Sequence, residues 1–242
     1  MKFEYTEIWG FKHAIRGARN PMNSWDKSDS AVAFHALPNF YPEDPMSEKY
    51  CMWNDKYGLN IKIGPNDLDL LQRLIKAGPE HRKFMRQIMV SVDITAPLYW
   101  WKEFDTYKVG TTANSTSTMH KLASAPITKE CFEMDDYEGG LLMYEREPYD
   151  LDAFTDDIWD NIINYCETLR KGYLETKDKR YWKELIRILP ESWLQTRTVT
   201  MNYENLYSIA RQRKGHKLTE WKAFIDWVKT LPYADELIFL DK

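Results

Sequence analysis

The stretch from Ile94 to Leu122 constrains this chain most, because an apolar strand end and an aromatic helix lead directly into a polar segment. Its sequence is ITAPLYWWKEFDTYKVGTTANSTSTMHKL, and its second half is rich in hydroxyl side chains. Short polar side chains compete with the backbone for hydrogen bonds, so this half makes a poor core and a poor helix. Two interpretations remain open for it: a solvated loop that caps the next helix, or a pocket for an anion or a nucleotide.

The composition indicates a soluble globular protein with room for one domain or two small ones. Apolar residues make up 43% and charged residues 29% of the 242 residues. The net charge of −4 and the pI near 5.8 argue against a general nucleic-acid-binding protein, so we expect no duplex nucleic acid as partner. The basic cluster from Arg211 to Lys214 still offers a local phosphate site, which suits a free nucleotide better.

Cysteine usage and hydropathy indicate a cytoplasmic protein. Cys51, Cys131 and Cys166 are odd in number, widely spaced and outside any CxxC pattern, so we expect neither a disulfide framework nor a zinc site. The N-terminal residues lack an apolar signal segment, and no run approaches the ~20 apolar residues of a membrane span. We expect no membrane partner.

The first quarter of the chain begins with regular structure and then loses it. Alternation over Lys2 to Trp9 predicts a half-buried strand, and a short helix follows at Lys12 to Arg19. From Asn20 to Pro65 the chain is rich in Pro, Asp, Asn and Ser, which predicts loops and short turns. Such a long irregular stretch is often functional, and it is either a lid or a subunit contact.

The middle of the chain predicts a helix, a strand and a second helix. Leu68 to Ile75 carries an apolar stripe that Pro65-Asn66-Asp67 caps and Gly78 ends. Gln87 to Thr95 alternates apolar and polar residues, as a strand with one buried face does. Pro97 fits the first turn of the following helix.

The last third of the chain is predicted to be mainly helical. Glu130 to Tyr144 is expected to be a connection, and the helices are expected at 150–176, 181–188, 202–213 and 218–230. In the first of them an apolar stripe comprises Leu151, Phe154, Ile158, Ile162, Tyr165 and Leu169. Four aspartates lie near its N-terminal half, at 152, 156, 157 and 160, and a solvated face near the helix dipole explains them better than a metal site. The fold class is therefore α+β.

The order of motifs resembles the flavin-dependent thymidylate synthases, the ThyX family. Ala96-Pro97-Leu98-Tyr99 resembles the Ala-Pro-apolar-aromatic turn that opens the family's signature helix. Without a gap, Lys102-Glu103 takes the place of the family's Arg-Gln, and Thr106-Tyr107-Lys108 that of its Arg-His-Arg. Three further residues stand where the family has Ser, Glu and a second Ser: Thr111, Asn114 and Thr116.

Other segments match in the same order, over roughly residues 10–25 and 66–230. His13 to Arg19 resembles the early Ala-Ala-Arg helix, and Leu74 to His81 falls where a helix ends before a flavin-contacting His. Arg187-Ile-Leu-Pro190 resembles an Arg-x-x-Leu-Pro element. An ungapped alignment from this element places Asn202 at the position of the family's flavin-side Asn, and Arg213 at that of its nucleotide-binding Arg.

The chain departs from the family at charged positions. The triplet Thr106-Tyr107-Lys108 keeps one cation of two and loses the imidazole, and Thr118 replaces the Arg that holds substrate phosphate. Ala113 and Asn114 replace an Asn and a Glu, and Arg187 lies one residue closer to its Leu-Pro. Arg contacts to phosphate are about twice as strong as neutral ones, so these losses weaken dinucleotide binding unless other residues compensate.

The resemblance implies a fold, partners and site residues. The fold is a ThyX-like α+β domain over residues 1–242, with a central, mostly antiparallel twisted sheet packed with long helices and a loop-rich insertion at about 20–65. The resemblance also implies a homotetramer that binds FAD and a pyrimidine nucleotide such as dUMP, with methylenetetrahydrofolate and NADPH as co-substrates. Arg213 is the implied catalytic residue. The implied substrate-binding residues are Glu103, Asn114, Thr116, Thr118, Arg187 and Arg213, and the implied cofactor-binding residues are His81, Thr106, Tyr107, Lys108, Thr111 and Asn202.

Alternatives stay open for single residues and for the whole protein. His81 contacts flavin or is a surface histidine, and Trp100 and Trp101 stack on a ligand ring or, as a better expectation, pack in a core or interface. The implied activity is a flavin-dependent methylation of dUMP or a related nucleotide. Two alternative hypotheses for the whole protein are a non-catalytic protein that sequesters or senses a nucleotide, and a structural protein that uses the fold for oligomerisation.

Overall fold

The computed structural model describes residues 1–32, 49, 52–53, 56–57, 61–134 and 151–240, and for 151–157 the backbone only. The strands are β1 Lys2–Trp9, β2 Ala31–Val32, β3 Ile61–Lys62, β4 Met89–Pro97, β5 Thr112–Ser115 and β6 Leu194–Asn202. The α-helices are α1 Phe11–Arg19, α2 Pro65–Ala77, α3 Leu98–Phe104, α4 Leu151–Thr176, α5 Lys179–Ile188, α6 Tyr203–Gln212 and α7 Thr219–Lys229. Short 3₁₀ turns and a π-helix at Ala234–Ile238 complete the described elements. None of the helices in these ranges combines the length and the apolar character that a membrane span needs.

Four strands form one sheet in the order β1-β4-β6-β5, and β2 pairs with β3 antiparallel. Side-chain pairs between β4 and β6 show their relative direction, because the residue number falls by two on β6 for each rise of two on β4. These pairs are Ser91–Thr200 at 3.0 Å, Asp93–Thr198 at 2.5 Å and Thr95–Thr196 at 2.7 Å. The two strands are therefore antiparallel, and the predicted α+β class is confirmed.

Strand β4 confirms the predicted strand at 87–95, whereas β6 was not predicted. Val90, Val92 and Ile94 are buried on one face of β4, as the alternation indicated. On β6 the corresponding face begins with Gln195 and Arg197 and becomes apolar only later. Because Gln195 and Arg197 are polar, the sequence of β6 lacks the alternation of apolar and polar residues that predicts a strand.

The chain divides into two compact units. The first unit comprises Met1, Thr95–Asp105 and Ser115–Arg197, and the second comprises Lys2–Ile94, Thr106–Asn114 and Thr198–Lys242. The single domain over 1–242 stays a prediction, and half of the insertion at about 20–65 lies outside the described residues.

In the first unit, α3 is anchored by its aromatic side chains. Trp100 and Trp101 are fully buried, which confirms core packing as their role, and Trp101 Nε1 donates to the Gln195 carbonyl at 2.9 Å. Pro97 ends β4 and caps the helix, so the expectation that it lies in the first turn was wrong by one residue. Proline suits this position because it has no N–H to satisfy.

Helix α4 confirms the predicted helix at 150–176, and Leu169 of the predicted stripe is buried, but the buried face is otherwise shifted. Ile163, Cys166 and Leu169 are buried in the core of this unit, and burial raises the pKa of the Cys166 thiol to about 11. Ile158 and Tyr165 from the predicted stripe are exposed instead. Of the four aspartates only the Asp160 side chain is described, and it lies 3.0 Å from Lys129 Nζ. The described residues contain no group of ligands that could hold a metal ion.

Glu167 on α4 predicts a loss of stability in acid. It accepts hydrogen bonds from Arg170 at 2.6 and 2.7 Å and from the Ile127 N–H at 2.9 Å, and these contacts lower its pKa to about 2. Because the folded pKa is depressed, this stabilisation is present above the unfolded pKa of about 4.3 and is lost as pH falls towards 2. Titration of unfolding between pH 5 and 2 should show a shallower fall for Glu167→Gln, by about 1 to 3 kcal/mol after allowance for solvent screening. Equal slopes would contradict this role.

The C-terminus of α4 predicts a stabilising glycine. Lys177 has φ 58°, and its N–H donates to the Tyr173 carbonyl at 2.9 Å, as at a left-handed helix C-cap. Lys177→Gly is expected to raise the free energy of unfolding by about 0.5 to 1 kcal/mol, because glycine adopts this conformation without a side-chain clash. Lys171→Gly inside the same helix should instead lower it by about 1 kcal/mol. Chemical denaturation of both variants checks the contrast, and a destabilised Lys177→Gly would contradict it.

In the second unit β1 and α1 confirm the first predicted strand and helix, but the strand is less buried than predicted, because Ile8 alone of its eight residues is buried. α2 is confirmed too, and Gly78 ends it with φ 118°. The predicted cap was wrong, because Gly64 is the N-cap and Asp29 accepts the N–H groups of Asn66 and Asp67 at 2.9 and 3.0 Å. Asp67 points elsewhere and is buried.

Candidate functional site

The polar segment that dominates the sequence forms an edge strand. Residues 112–115 make up β5 and are exposed, and the Thr116 N–H donates to the Thr196 carbonyl at 2.9 Å. Turns follow, and no helix begins among the described residues before a 3₁₀ turn at Lys129–Cys131. The expectation of a loop that caps the next helix was therefore wrong. The segment pairs with β6 in the sheet although Ala113 and Asn114 disfavour strands, so tertiary pairing overrides local preference here.

The loop before β5, residues 106–111, is bound to the N-terminus of α6. Asn202 caps α6 by accepting the Asn205 N–H at 3.0 Å, and the Asn205 side chain accepts the Asn202 N–H at 3.1 Å. Asn205 Nδ2 also donates to the Val109 carbonyl at 2.6 Å. Gly110 lies so close that a Cβ on it would be 3.0 Å from Asn202 Nδ2. The two asparagines thus fix the loop backbone in place.

The same loop meets the C-terminus of α6 through Tyr107. Arg213 caps this end, and its Nε donates to the Tyr107 hydroxyl at 2.7 Å although the two residues are 106 positions apart. The guanidinium carbon lies 4.4 Å from the ring centre of buried Trp221, which packs edge-on against Tyr107. A hydrogen bond and a ring face therefore hold the guanidinium in one orientation. An arginine held in this way can recognise a phosphate or a base edge.

Three more of the implied residues lie in this loop and one lies just beyond. Lys108 and Thr106 are exposed, and the Thr111 hydroxyl donates to the Tyr107 carbonyl. Asn114 is exposed on β5. Lys108 therefore adds a cation to the loop that carries Tyr107.

His81 precedes a 3₁₀ turn that is bound to α6. Its side chain is exposed, and its N–H donates to the Gly78 carbonyl at 3.0 Å. The next residue, Arg82, donates from Nε to both carboxylate oxygens of Glu204 at 2.9 and 3.0 Å and lies 4.2 Å over the Tyr207 ring. α6 is thus the common support of His81, Tyr107 and Arg213.

Four implied substrate-binding residues belong to the first unit. Glu103 is half-buried near the end of α3, and Thr118 is half-buried in a turn. The Thr116 carbonyl accepts from Gln195 Nε2 at 2.8 Å. Arg187 is exposed on α5 and pairs with Glu184 at 2.9 Å. Their roles stay predictions.

Comparison with known proteins finds similarity in structure rather than in sequence. No protein-family model matches the chain, and no curated protein does. A flavin-dependent thymidylate synthase ThyX from Helicobacter pylori, complexed with FAD and dUMP, matches with a TM-score of 0.62 at 14% identity, covering 100% of this chain and 99% of that one. A second structure of Thymidylate Synthase X from Helicobacter pylori with FAD and dUMP has a TM-score of 0.61 at 15% identity and covers 100% and 98%. The chain has the ThyX fold.

The ThyX fold was anticipated from motif order, but several contacts in it were not. Asn205, Trp221 and Arg82 hold the implied residues and were not singled out from the sequence. The spacing of Asn202 and Asn205 is a recognisable capping-box pattern, so Asn205 had a local signal. Trp221 had none, because its contact with Tyr107 joins distant parts of the chain.

The loop at residues 106–111 predicts a strict need for glycine at position 110. Gly110 has φ 78°, and a Cβ there meets Asn202 Nδ2 at 3.0 Å and Asn205 Oδ1 at 3.1 Å. Gly110→Ala is expected to lower the free energy of unfolding by more than the about 1 to 2 kcal/mol that a left-handed conformation costs with a side chain, because its Cβ also crowds the two asparagine side chains. Gly215→Ala is the control, since Gly215 has φ 72° but open space around its Cβ. An equal loss in both variants would attribute the effect to φ alone and contradict the close approach.

Proposed function

We propose that this chain is a divergent flavin-dependent thymidylate synthase-like methyltransferase that binds dUMP or a related pyrimidine nucleotide. The observation that carries the proposal is the 2.7 Å contact between Arg213 and Tyr107, two positions implied separately by the resemblance. Lys108 adds positive charge on the same loop, and the ThyX fold supports the assignment. In this proposal Arg213 and Lys108 hold the nucleotide phosphate or base edge, and Tyr107 orients the guanidinium.

A bound flavin would supply the reducing equivalents of the methylation. The residues that would hold it are His81, Thr106, Tyr107, Lys108, Thr111 and Asn202. Their donor set suits an anionic dinucleotide, since Lys108 and Thr106 are exposed and Tyr107 offers an aromatic ring. The protein itself would orient the nucleotide through Arg213 and hold the loop at 106–111 in place through Asn205. A homotetramer, methylenetetrahydrofolate and NADPH belong to the same proposal.

A second candidate is a non-catalytic protein that sequesters or senses a nucleotide. Two observations favour it: the Thr111 hydroxyl proton is used on the Tyr107 carbonyl, and the Asn202 amide oxygen is used on the Asn205 N–H. Both groups are implied flavin contacts, and these bonds reduce what they offer to a cofactor. Neither bond involves Arg213 or Lys108, which would bind the nucleotide in both candidates.

Product analysis separates the two candidates. The full chain is incubated with dUMP, methylenetetrahydrofolate, NADPH and FAD, and conversion of dUMP to a methylated nucleotide is followed by chromatography. Turnover that disappears without FAD is the result expected for the methyltransferase, and complementation of a thymidine-requiring strain would agree with it. Tight dUMP binding by calorimetry without turnover would overturn the methyltransferase in favour of the binding protein.

A further inference from the structure

The second unit contains a cavity of about 190 Å³ along one face of α1. Lys12, Arg16 and Arg19 line it from the helix, at spacings that place them on one face. Trp25 and Ser30 also line it. None of the residues implied for nucleotide or flavin binding lines this cavity, so any ligand here uses separate groups.

The cavity is positively charged because only one of its cations is neutralised. Arg19 is buried, and its Nε lies 2.5 Å from the Asp67 carboxylate. The Ser30 hydroxyl donates to the same carboxylate at 2.6 Å, so Asp67 is fully used within the fold. Lys12 and Arg16 are exposed, and across the described ranges no carboxylate lies within ion-pair distance of either. Two cations therefore remain for a ligand.

Trp25 holds Arg16 at the cavity. The Arg16 guanidinium lies 5.4 Å from the centre of the Trp25 ring, and Trp25 Nε1 donates to Asn20 Oδ1 at 2.8 Å, which fixes the ring. The ring face attracts the guanidinium, and the planar fork of N–H groups can bind an anion in pairs. Lys12, one turn away on α1, supplies a point charge beside this fork.

The volume limits the ligand to something small. It equals about six times the ~30 Å³ that a water molecule occupies in the liquid, and it is below the ~300 Å³ at which pockets for drug-sized ligands begin. A phosphate group with a short organic part fits this volume. We infer that this cavity binds the phosphate group of a small phosphomonoester, or inorganic phosphate, through Lys12 and Arg16.

Isothermal titration of the full chain with inorganic phosphate and with glycerol 3-phosphate tests this inference. The double variant Lys12→Gln/Arg16→Gln is expected to lose at least about tenfold in affinity, since two charge-assisted contacts disappear. Arg73→Gln/Lys76→Gln changes the net charge equally on the exposed side of α2 and should bind as the unmodified chain does. Thermal melting verifies that each variant is folded.

Tighter binding of glycerol 3-phosphate than of inorganic phosphate would indicate an organic phosphomonoester as the ligand, and equal affinities would indicate phosphate itself. Either result supports the site if the double variant alone weakens it. Millimolar or weaker binding of both probes by the unmodified chain would overturn the inference. An equal loss in the α2 double variant would also overturn it, because general charge would then explain the binding.

Discussion

Replacing Asp67 with alanine is expected to lower the free energy of unfolding by about 3 to 5 kcal/mol. The substitution leaves the Arg19 guanidinium buried without its counter-charge, which lies at 2.5 Å in the folded protein. It also removes the acceptor of the Ser28 and Ser30 hydroxyls at 2.7 and 2.6 Å and of the Ser30 N–H at 3.0 Å. Breaking a buried pair costs more than the pair itself contributes, because an uncompensated charge remains.

Urea or thermal unfolding measures this loss, and Asp69→Ala on the same helix is the matched control. Asp69 pairs with Arg73 at 2.9 Å at the surface, where such pairs contribute about 0 to 1 kcal/mol. If Asp67→Ala does not fold, Ser30→Ala tests the same cluster with a smaller expected loss of about 1 kcal/mol. Equal stabilities of the Asp67 and Asp69 variants would contradict the role of the buried pair.

The same carboxylate gives a pH dependence of known sign. Burial raises the pKa of Asp67, but hydrogen bonds from Ser30, Ser28 and Arg19, together with the Arg19 charge, outweigh burial and lower it. Its stabilisation is thus present above the unfolded pKa of about 3.9 and is lost as pH falls through the folded value. This acid-dependent fall should be absent from a folded Asp67 variant.

Replacing Arg213 with alanine is expected to weaken dUMP binding by about tenfold to a hundredfold, the equivalent of about 1.5 to 3 kcal/mol for a hydrogen bond to a charged group. Arg213 is held by the Tyr107 hydroxyl at 2.7 Å and by the Trp221 ring at 4.4 Å, so the fork is ordered before the ligand arrives. Arg213→Lys should recover only part of the affinity, because an ammonium lacks the planar fork. Tyr107→Phe should lose less than Arg213→Ala.

Calorimetric titration with dUMP provides the measurement, with Arg73→Ala as a control for the loss of one surface cation. Lys108→Ala is expected to reduce affinity as well, through loss of a charge on the same loop. Unchanged affinity in both the Arg213 and Lys108 variants would contradict nucleotide binding at this site. A loss that appears equally in Arg73→Ala would mean that net charge alone controls binding.

Local patterns predicted the elements whose burial follows a simple period. α2 has a leucine and isoleucine stripe between a proline and a glycine, and β4 alternates strictly, so both were found. β6 was missed because Gln195 and Arg197 lie on its inner face. Arg197 is tolerated there since it pairs with Asp105 at 2.7 Å and stacks over Trp101 at 4.3 Å, and neither partner is adjacent in sequence.

The contacts that organise the site join residues that are far apart in the sequence, so local patterns could not predict them. Asp67 stands where a helix cap is expected, but it pairs with Arg19, which lies 48 positions away in the sequence. No local sequence pattern predicts such a buried ion pair. Motif order singled out Tyr107 and Arg213, but not that the two side chains touch. The sequence around Trp221 does not indicate that its ring orients Arg213.

The most direct measurement of the central claim is the absorbance spectrum of the freshly purified full chain, followed by FAD titration if the protein is colourless. We predict bound flavin, visible as its two absorption bands, and flavin oxidation that depends on added dUMP. Absence of flavin after purification, together with no binding of added FAD, would contradict the synthase-like function and leave nucleotide binding without redox chemistry.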